Sequence, residues 1–276
     1  MPATDYHTHT PLCLHAEGEP EAFVERALAL GMSAYGIADH APMPPGREPF
    51  DSWRMRFSQL PEYLRWIERA KEAARGTGLR ILAGLECDWL PGIAPWVEQL
   101  RREYDWDYLI GSVHYLGNSG SVDDALFATS CITGSPDGDW RAYWRAVLAM
   151  VQSGLFDIVG HIDLVKIWGR YPASPLMPYY APVLEALEGS GLVVELNTAG
   201  WHKPCAEQYP SAEFLSELLR RRIPIALNSD AHQPAHLARD RERALELLST
   251  LCGGALHEYS HPALHSKTPL SVHGSL

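Results

Sequence analysis

Ala34-Tyr35-Gly36-Ile37-Ala38-Asp39-His40 is a short apolar run that ends directly in a carboxylate and an imidazole. Residues 34–38 have the length and apolar make-up of a buried strand. Ahead of them, residues 20–30 space their apolar side chains near 3.6. That segment opens on Glu19-Pro20 and stops at Gly31, which reads as a helix with a glycine just past its end. Helix, strand, then metal-competent polar residues is the pattern to follow along the rest of the chain.

It recurs. Residues 80–85, 108–112, 158–160, 192–196 and 225–228 are further predicted strands, and residues 60–75, 94–103, 140–153, 180–189, 211–220 and 233–251 are predicted helices. Alternation of this kind predicts repeated βα units and a parallel sheet. Nearly every strand is followed by histidine or carboxylate. The stretches are Asp5-Tyr6-His7-Thr8-His9 with His15, Asp39-His40, Glu86-Cys87-Asp88, Val113-His114, His161-Ile162-Asp163, Glu195-Leu196-Asn197 and Asn228-Ser229-Asp230-Ala231-His232.

In a parallel α/β barrel all strand C-termini meet at one face, so residues far apart in sequence converge there. Imidazole and carboxylate together suit Zn, Mn or Fe. His7 and His9, two apart on an extended strand, project to the same side. Taken singly, each position has a plainer reading. A lone histidine is more often a satisfied structural residue, Glu86 or Asp230 could cap a helix, and Asp39-His40 could be an ordinary polar pair. Their joint recurrence at successive strand ends points instead to a metal cluster.

Composition sets the outer limits. The chain has 276 residues, 46% hydrophobic and 21% charged, the profile of an ordinary globular protein, and we read residues 1–276 as one domain. Its five cysteines are scattered with no CxxC pair, which argues for reduced thiols rather than a disulfide framework. The opening Met-Pro-Ala-Thr-Asp-Tyr-His has no leader pattern, and no run is long and apolar enough to span a bilayer, so a cytoplasmic protein without membrane contact is expected. A net charge of −11 opposes nucleic-acid binding, though bound cations would still admit a small anionic substrate. Two segments rich in Pro, Gly, Ser and Asp, 41–55 and 116–139, read as insertions after histidine-bearing strand ends. Residues 258–276 are expected at the surface or partly mobile.

His7-Thr8-His9, Asp39-His40-Ala41-Pro42, Gly84-Leu85-Glu86, Gly111-Ser112-Val113-His114, Gly160-His161 and Asn228-Ser229-Asp230-Ala231-His232 resemble the motifs of the polymerase-and-histidinol-phosphatase (PHP) superfamily. Asp39-His40-Ala41-Pro42, the Gly-Ser-Val-His turn and Glu195-Leu196-Asn197-Thr198-Ala199-Gly200 with Lys203-Pro204 are similar to its histidinol-phosphatase branch. The resemblance implies a distorted (β/α)7 barrel with its metal cluster at the C-terminal face of the strands. It implies three divalent ions: one on His7, His9, Glu86 and Asp230, a second sharing Glu86 and adding His114 and His161, a third on His15, His40 and His232. It further implies hydrolysis of L-histidinol phosphate to L-histidinol and phosphate, a step of histidine biosynthesis.

Clustered cations suit phosphomonoester hydrolysis because they stabilise charge on the transferring group and lower the pKa of a water held between them. On this reading Glu86 bridges two ions, and Asp230 or a neighbouring histidine is a candidate proton donor to the leaving alkoxide. Lys166 and Arg170, after the His161 strand, are candidate cationic partners for the phosphate, and Asn197 a candidate hydrogen-bond donor. The branch pattern carries an arginine where this chain has His202, so His202 itself, Lys203 or Arg170 would supply that charge. Asp5, Asp39, Asp163 and Glu195 are expected to orient ligand imidazoles. Two other readings stand beside this one: a related phosphoesterase acting on nucleotides or nucleic-acid ends, and a metal-holding module without turnover.

Overall fold

The structure is a computed structural model that describes residues 3–47, 53–117 and 120–253. Seven strands, β1 (Ala3–Asp5), β2 (Met32–Ile37), β3 (Arg80–Asp88), β4 (Tyr108–Ser112), β5 (Ile158–Val159), β6 (Val193–Asn197) and β7 (Ile225–Asn228), lie side by side in sequence order. Every neighbouring pair is parallel. Seven principal helices intervene or follow: α1 (Pro20–Ala29), α2 (Leu60–Ala73), α3 (Ala94–Glu103), α4 (Pro136–Gln152), α5 (Met177–Leu187), α6 (Ala212–Arg220) and α7 (Arg241–Leu251). The sheet curls until its edges nearly meet. Closure is completed just beyond β1 and β7, where His9 N–H donates to Ala231 O at 2.9 Å and Ala231 N–H to His7 O at 3.1 Å. This is the expected distorted (β/α)7 barrel.

The barrel interior is filled by Tyr6, Ala34, Ala38, Leu82, Tyr108, Ile110, Ile158, Val193 and Ala226. Tyr108 dominates it. Its hydroxyl donates to Tyr6 O at 2.6 Å. Gly36 and Gly84 face its ring so closely that a methyl group at Gly84 would stand 2.6 Å from ring carbons, and one at Gly36 would meet the hydroxyl. The larger core lies between the sheet and the helices, where apolar stripes such as Phe214, Leu215, Leu218 and Leu219 of α6 are buried.

Several element ends differ from the sequence expectation, each for a local reason. β1 was not among the predicted strands, because three residues are too short to show a period. β3 continues past Leu85 to Asp88, pairing Glu86 with Ile110 and Asp88 with Ser112. α4 begins at Pro136, not 140, because Ser135 Oγ accepts the Gly138 N–H and caps it. α5 starts and stops a little earlier than expected. The predicted helix 233–251 is broken: Pro234–His236 is a short 3-10 turn, and Ala238 and Asp240 adopt left-handed backbone before α7. Ala238 N–H is there diverted to Asp5 Oδ2. Gly31 does end α1, with φ +63°. The insertions 41–55 and 116–139 fall partly, and the tail 258–276 wholly, outside the described residues. Among the described residues no helix is long and apolar enough to cross a membrane.

Candidate metal centre

Backbone pairing brings the polar strand ends together. Just past the end of β2, alongside the last residues of β3, Glu86 N–H donates to Asp39 O at 3.0 Å and Ala41 N–H to Glu86 O at 2.8 Å, which sets His40 beside Glu86. On the other flank the Thr8–Ala231 bridge sets His7 and His9 beside Asp230 and His232. Thr8 points the opposite way and donates to Gly36 O, as alternation requires. Asp230 has φ +53°, a left-handed conformation that Asp tolerates better than most residues.

Glu86 is the hub. Its Oε1 lies 2.9 Å from His161 Nε2 and 3.6 Å from His114 Nε2. Its Oε2 lies 2.8 Å from His40 Nδ1, 3.4 Å from His7 Nε2 and 3.8 Å from His9 Nε2. Asp230 Oδ1 stands 3.0 Å from His9 Nε2 and 3.8 Å from His7 Nε2. His232 stacks on His9 with ring centroids 4.0 Å apart, and His15 lies 4.5 Å from His232. All nine residues expected as ligands thus meet at one end of the barrel.

Five of the seven imidazoles are held in one sense, while His40 turns its Nδ1 to Glu86. His7 Nδ1 is 2.7 Å from Glu195 Oε1, His9 Nδ1 3.3 Å from Asp39 Oδ1, and His114 Nδ1 2.6 Å from Asp88 Oδ1. His15 Nδ1 is 2.8 Å from Cys13 O and His232 Nδ1 3.0 Å from Asp230 O. With Nδ1 so engaged, Nε2 is the nitrogen turned to the cluster, the arrangement that metal-bound histidines use. Within the cluster His7 Nε2 and His232 Nε2 are buried without a hydrogen-bond partner, and His40 Nδ1 and Glu86 Oε2 have only each other in reach, at 2.8 Å. Buried polar atoms are otherwise almost always satisfied, so this donor set fits cations.

The electrostatics agree. Burial pushes the Glu86 carboxyl up, but the surrounding His40, His7 and His114 outweigh it and hold the group well below the usual carboxylate range. Asp230 is held low in the same way by His7 and His9. Burial lowers His9 and His114, yet their carboxylate neighbours raise both to about 9, while burial dominates at His40 and brings it to about 4. Carboxylates and imidazoles that trade a proton so tightly offer the same lone pairs to a cation. Three sets of ligand atoms lie mutually within 4.8 Å: His7–His9–Asp230, His7–Glu86–His161 and His9–His40–His232. His15 falls in a different set, with Cys13 and His232.

Of the expected orienters, Asp39 and Glu195 do hold imidazoles. Glu195 also accepts from Asn228 Nδ2, Asn197 Nδ2 and the His161 N–H, so all its hydrogen bonds serve the site. Asp5 instead accepts the backbone N–H groups of His7, Ser229 and Ala238, and Asp163 pairs with Lys166. Asp88 takes the orienting place at His114, backed by the buried Arg54 at 2.5 Å. Its position two residues beyond Glu86 on one strand face was the signal for it. Trp53 packs edge-on against both His40 and His114.

The expected phosphate donors are placed otherwise, except Asn197, whose Nδ2 lies 3.3 Å from Asp230 Oδ2. Lys166 is 0% exposed, its ammonium taken by Asp163 and Glu207 at 2.9 Å and by Gln208 O at 2.7 Å. The Arg170 guanidinium binds the carbonyls of Phe127 and Ser130 and the sulfur of Cys131, tying down residues 125–131. His202 pairs with Asp240 at 2.6 Å, and Lys203 is exposed. A cation not singled out from sequence is Arg239, 24% exposed, whose Nε has no hydrogen-bond partner. Burial lowers its pKa against the opposing pull of Asp240 and Asp230.

The sequence pattern of the PHP domain matches residues 5–199. The chain is 42% identical over 234 residues to a Deinococcus radiodurans protein named "Probable histidinol-phosphatase", covering 84% of this chain and 87% of that one. It is 28% identical to the histidinol-phosphatase of Bacillus subtilis, over 89% of this chain and 99% of the other. Its structure superposes on the crystal structure of histidinol phosphate phosphatase from Lactococcus lactis, a complex with Zn, L-histidinol and phosphate. The TM-score is 0.71 at 25% identity, with 90% of this chain and 93% of that one covered.

Proposed function

This chain belongs to the PHP-domain family, and from that premise we propose that it is a histidinol-phosphatase, hydrolysing L-histidinol phosphate to L-histidinol and phosphate. The observation that carries the proposal is the common orientation of His7, His9, His15, His114 and His232, each donating Nδ1 away and turning Nε2 inward around Glu86 and Asp230. The Lactococcus lactis relative, described with zinc and both reaction products, supports the substrate and the metal.

Three divalent ions would be held, on His7, His9, Glu86 and Asp230, on Glu86, His114 and His161, and on His15, His40 and His232, with zinc favoured. Such ions stabilise negative charge on phosphoryl oxygens and lower the pKa of a bound water. The chain's own residues do the positioning. Glu86 divides its two oxygens between the His114/His161 side and the His7/His40 side, which suits a carboxylate shared by two cations. Asn197 holds Asp230 Oδ2 and Glu195 together at the rim of the cluster. With Lys166, Arg170 and His202 engaged within the protein, Arg239 is the candidate cation for the phosphate oxygens.

The test is phosphate release by the purified metal-loaded protein from histidinol phosphate, nucleoside monophosphates and sugar phosphates. The proposal expects histidinol phosphate to give the highest kcat/KM by at least an order of magnitude. Equal or faster hydrolysis of a nucleotide would overturn the substrate.

A further inference from the structure

Cys13 lies at the metal centre, and nothing in the proposed ligand set uses it. It ends the 3-10 turn Pro11–Cys13, which Thr10 opens by accepting the Leu12 N–H, and it is fully buried. The next residue, Leu14, has φ +70°, which reverses the chain and brings His15 back over Cys13. His15 Nδ1 then donates to Cys13 O at 2.8 Å, so its Nε2 turns away from the backbone. Burial and the nearby Asp39 push the Cys13 thiol up, whereas a coordinated cation deprotonates a thiol outright.

The surroundings of that sulfur are ligands. Cys13 Sγ and the ring nitrogens of His15 and His232 lie mutually within 4.8 Å, close to what bonds of about 2.0–2.3 Å to one ion permit. His232 Nε2 is buried without a hydrogen-bond partner. His40, its side chain 7% exposed, belongs with His9 and His232 to the adjoining set of ligand atoms. A second set joins Cys13 to His9 and Asp39. The sulfur is therefore flanked by imidazole and carboxylate groups, in a place where an ordinary core cysteine would meet apolar side chains.

We propose that Cys13 is a thiolate ligand of the outermost cation, bound together with His15 and His232. The inference rests on the metal centre proposed above and adds to it a soft donor. On binding, the Sγ–metal bond replaces the S–H bond and the proton leaves to solvent. A thiolate beside imidazoles favours zinc over manganese at this position, whereas the carboxylate-rich positions around Glu86 and Asp230 do not discriminate in that way.

The experiment substitutes cobalt(II) into the full-length protein and records its absorption spectrum. The wild type is expected to show a near-ultraviolet thiolate-to-cobalt charge-transfer band that disappears in Cys13→Ser and persists in Cys87→Ser, which alters the cysteine beside Glu86. X-ray absorption of the zinc-loaded wild type, which needs no variant, is expected to show a Zn–S distance of about 2.3 Å. Three cobalt ions per chain with no charge-transfer band, or a band that survives Cys13→Ser, would overturn the thiolate ligand and leave the metal centre standing. A chain that takes up no cobalt would overturn both.

Discussion

Asp88 Oδ1 stands 2.6 Å from His114 Nδ1 while Asp88 Oδ2 stands 2.5 Å from Arg54, so one buried carboxylate joins an insertion to an imidazole of the cluster. His114 is thereby turned with Nε2 toward Glu86. Asp88→Asn should keep the shape but lose the charge that fixes this ring. Metal affinity at the Glu86–His114–His161 position should fall by ~10–100-fold, the usual effect of removing such a partner. Competition with a chromophoric chelator measures it, and unchanged affinity would remove Asp88 from the centre.

Glu86→Gln should reduce turnover by at least ~100-fold, because losing a metal-activated nucleophile forfeits several kcal/mol of barrier lowering. An amide at this hub cannot serve cations on both sides. Circular dichroism should stay native-like, so that the loss is read as chemistry. A variant that retains a tenth of wild-type kcat would contradict the shared role.

Dialysis against EDTA should abolish phosphate release, and zinc should restore it. Metal analysis before dialysis should give two to three ions per chain. Full activity in a demonstrably metal-free sample would sink the proposed function.

Lys166→Met should act on stability and leave substrate binding alone. Removing the ammonium leaves Asp163, itself 0% exposed, as an uncompensated buried charge, a change that costs ~3–5 kcal/mol. Urea unfolding gives the stability and steady-state kinetics the KM. A tenfold rise in KM with unaltered stability would return Lys166 to the substrate.

Gly84→Ala should destabilise the barrel by ~1–3 kcal/mol, the range for overpacking a core, since the added methyl would lie 2.6 Å from the Tyr108 ring. The companion change Tyr108→Phe removes the hydroxyl that bonds Tyr6 O but leaves the ring in place, so it should not relieve Gly84→Ala. Rescue by Tyr108→Phe would mean that the contact is misjudged.

The sequence by itself determined the fold class and which histidines and carboxylates converge at one end of the barrel. Apolar runs such as 34–38 and 108–112 could only be buried strands, helical spacing between them forced parallel crossovers, and parallel strands deliver their C-terminal residues to one end. His7, Glu86 and Asp230 were therefore legible as partners although far apart in the chain. What only the tertiary structure decided is where each long or flexible side chain spends its charge. Lys166, Arg170 and His202 followed the right strands, but nearby acceptors, Asp163 and Glu207, the carbonyls of Phe127 and Ser130, and Asp240, took them. Those acceptors come from other elements, and sequence proximity does not encode the distance between elements. Cys13 shows the converse case. One left-handed residue, Leu14, folds the chain back and turns a cysteine that composition reads as a spare thiol into a neighbour of His15 and His232.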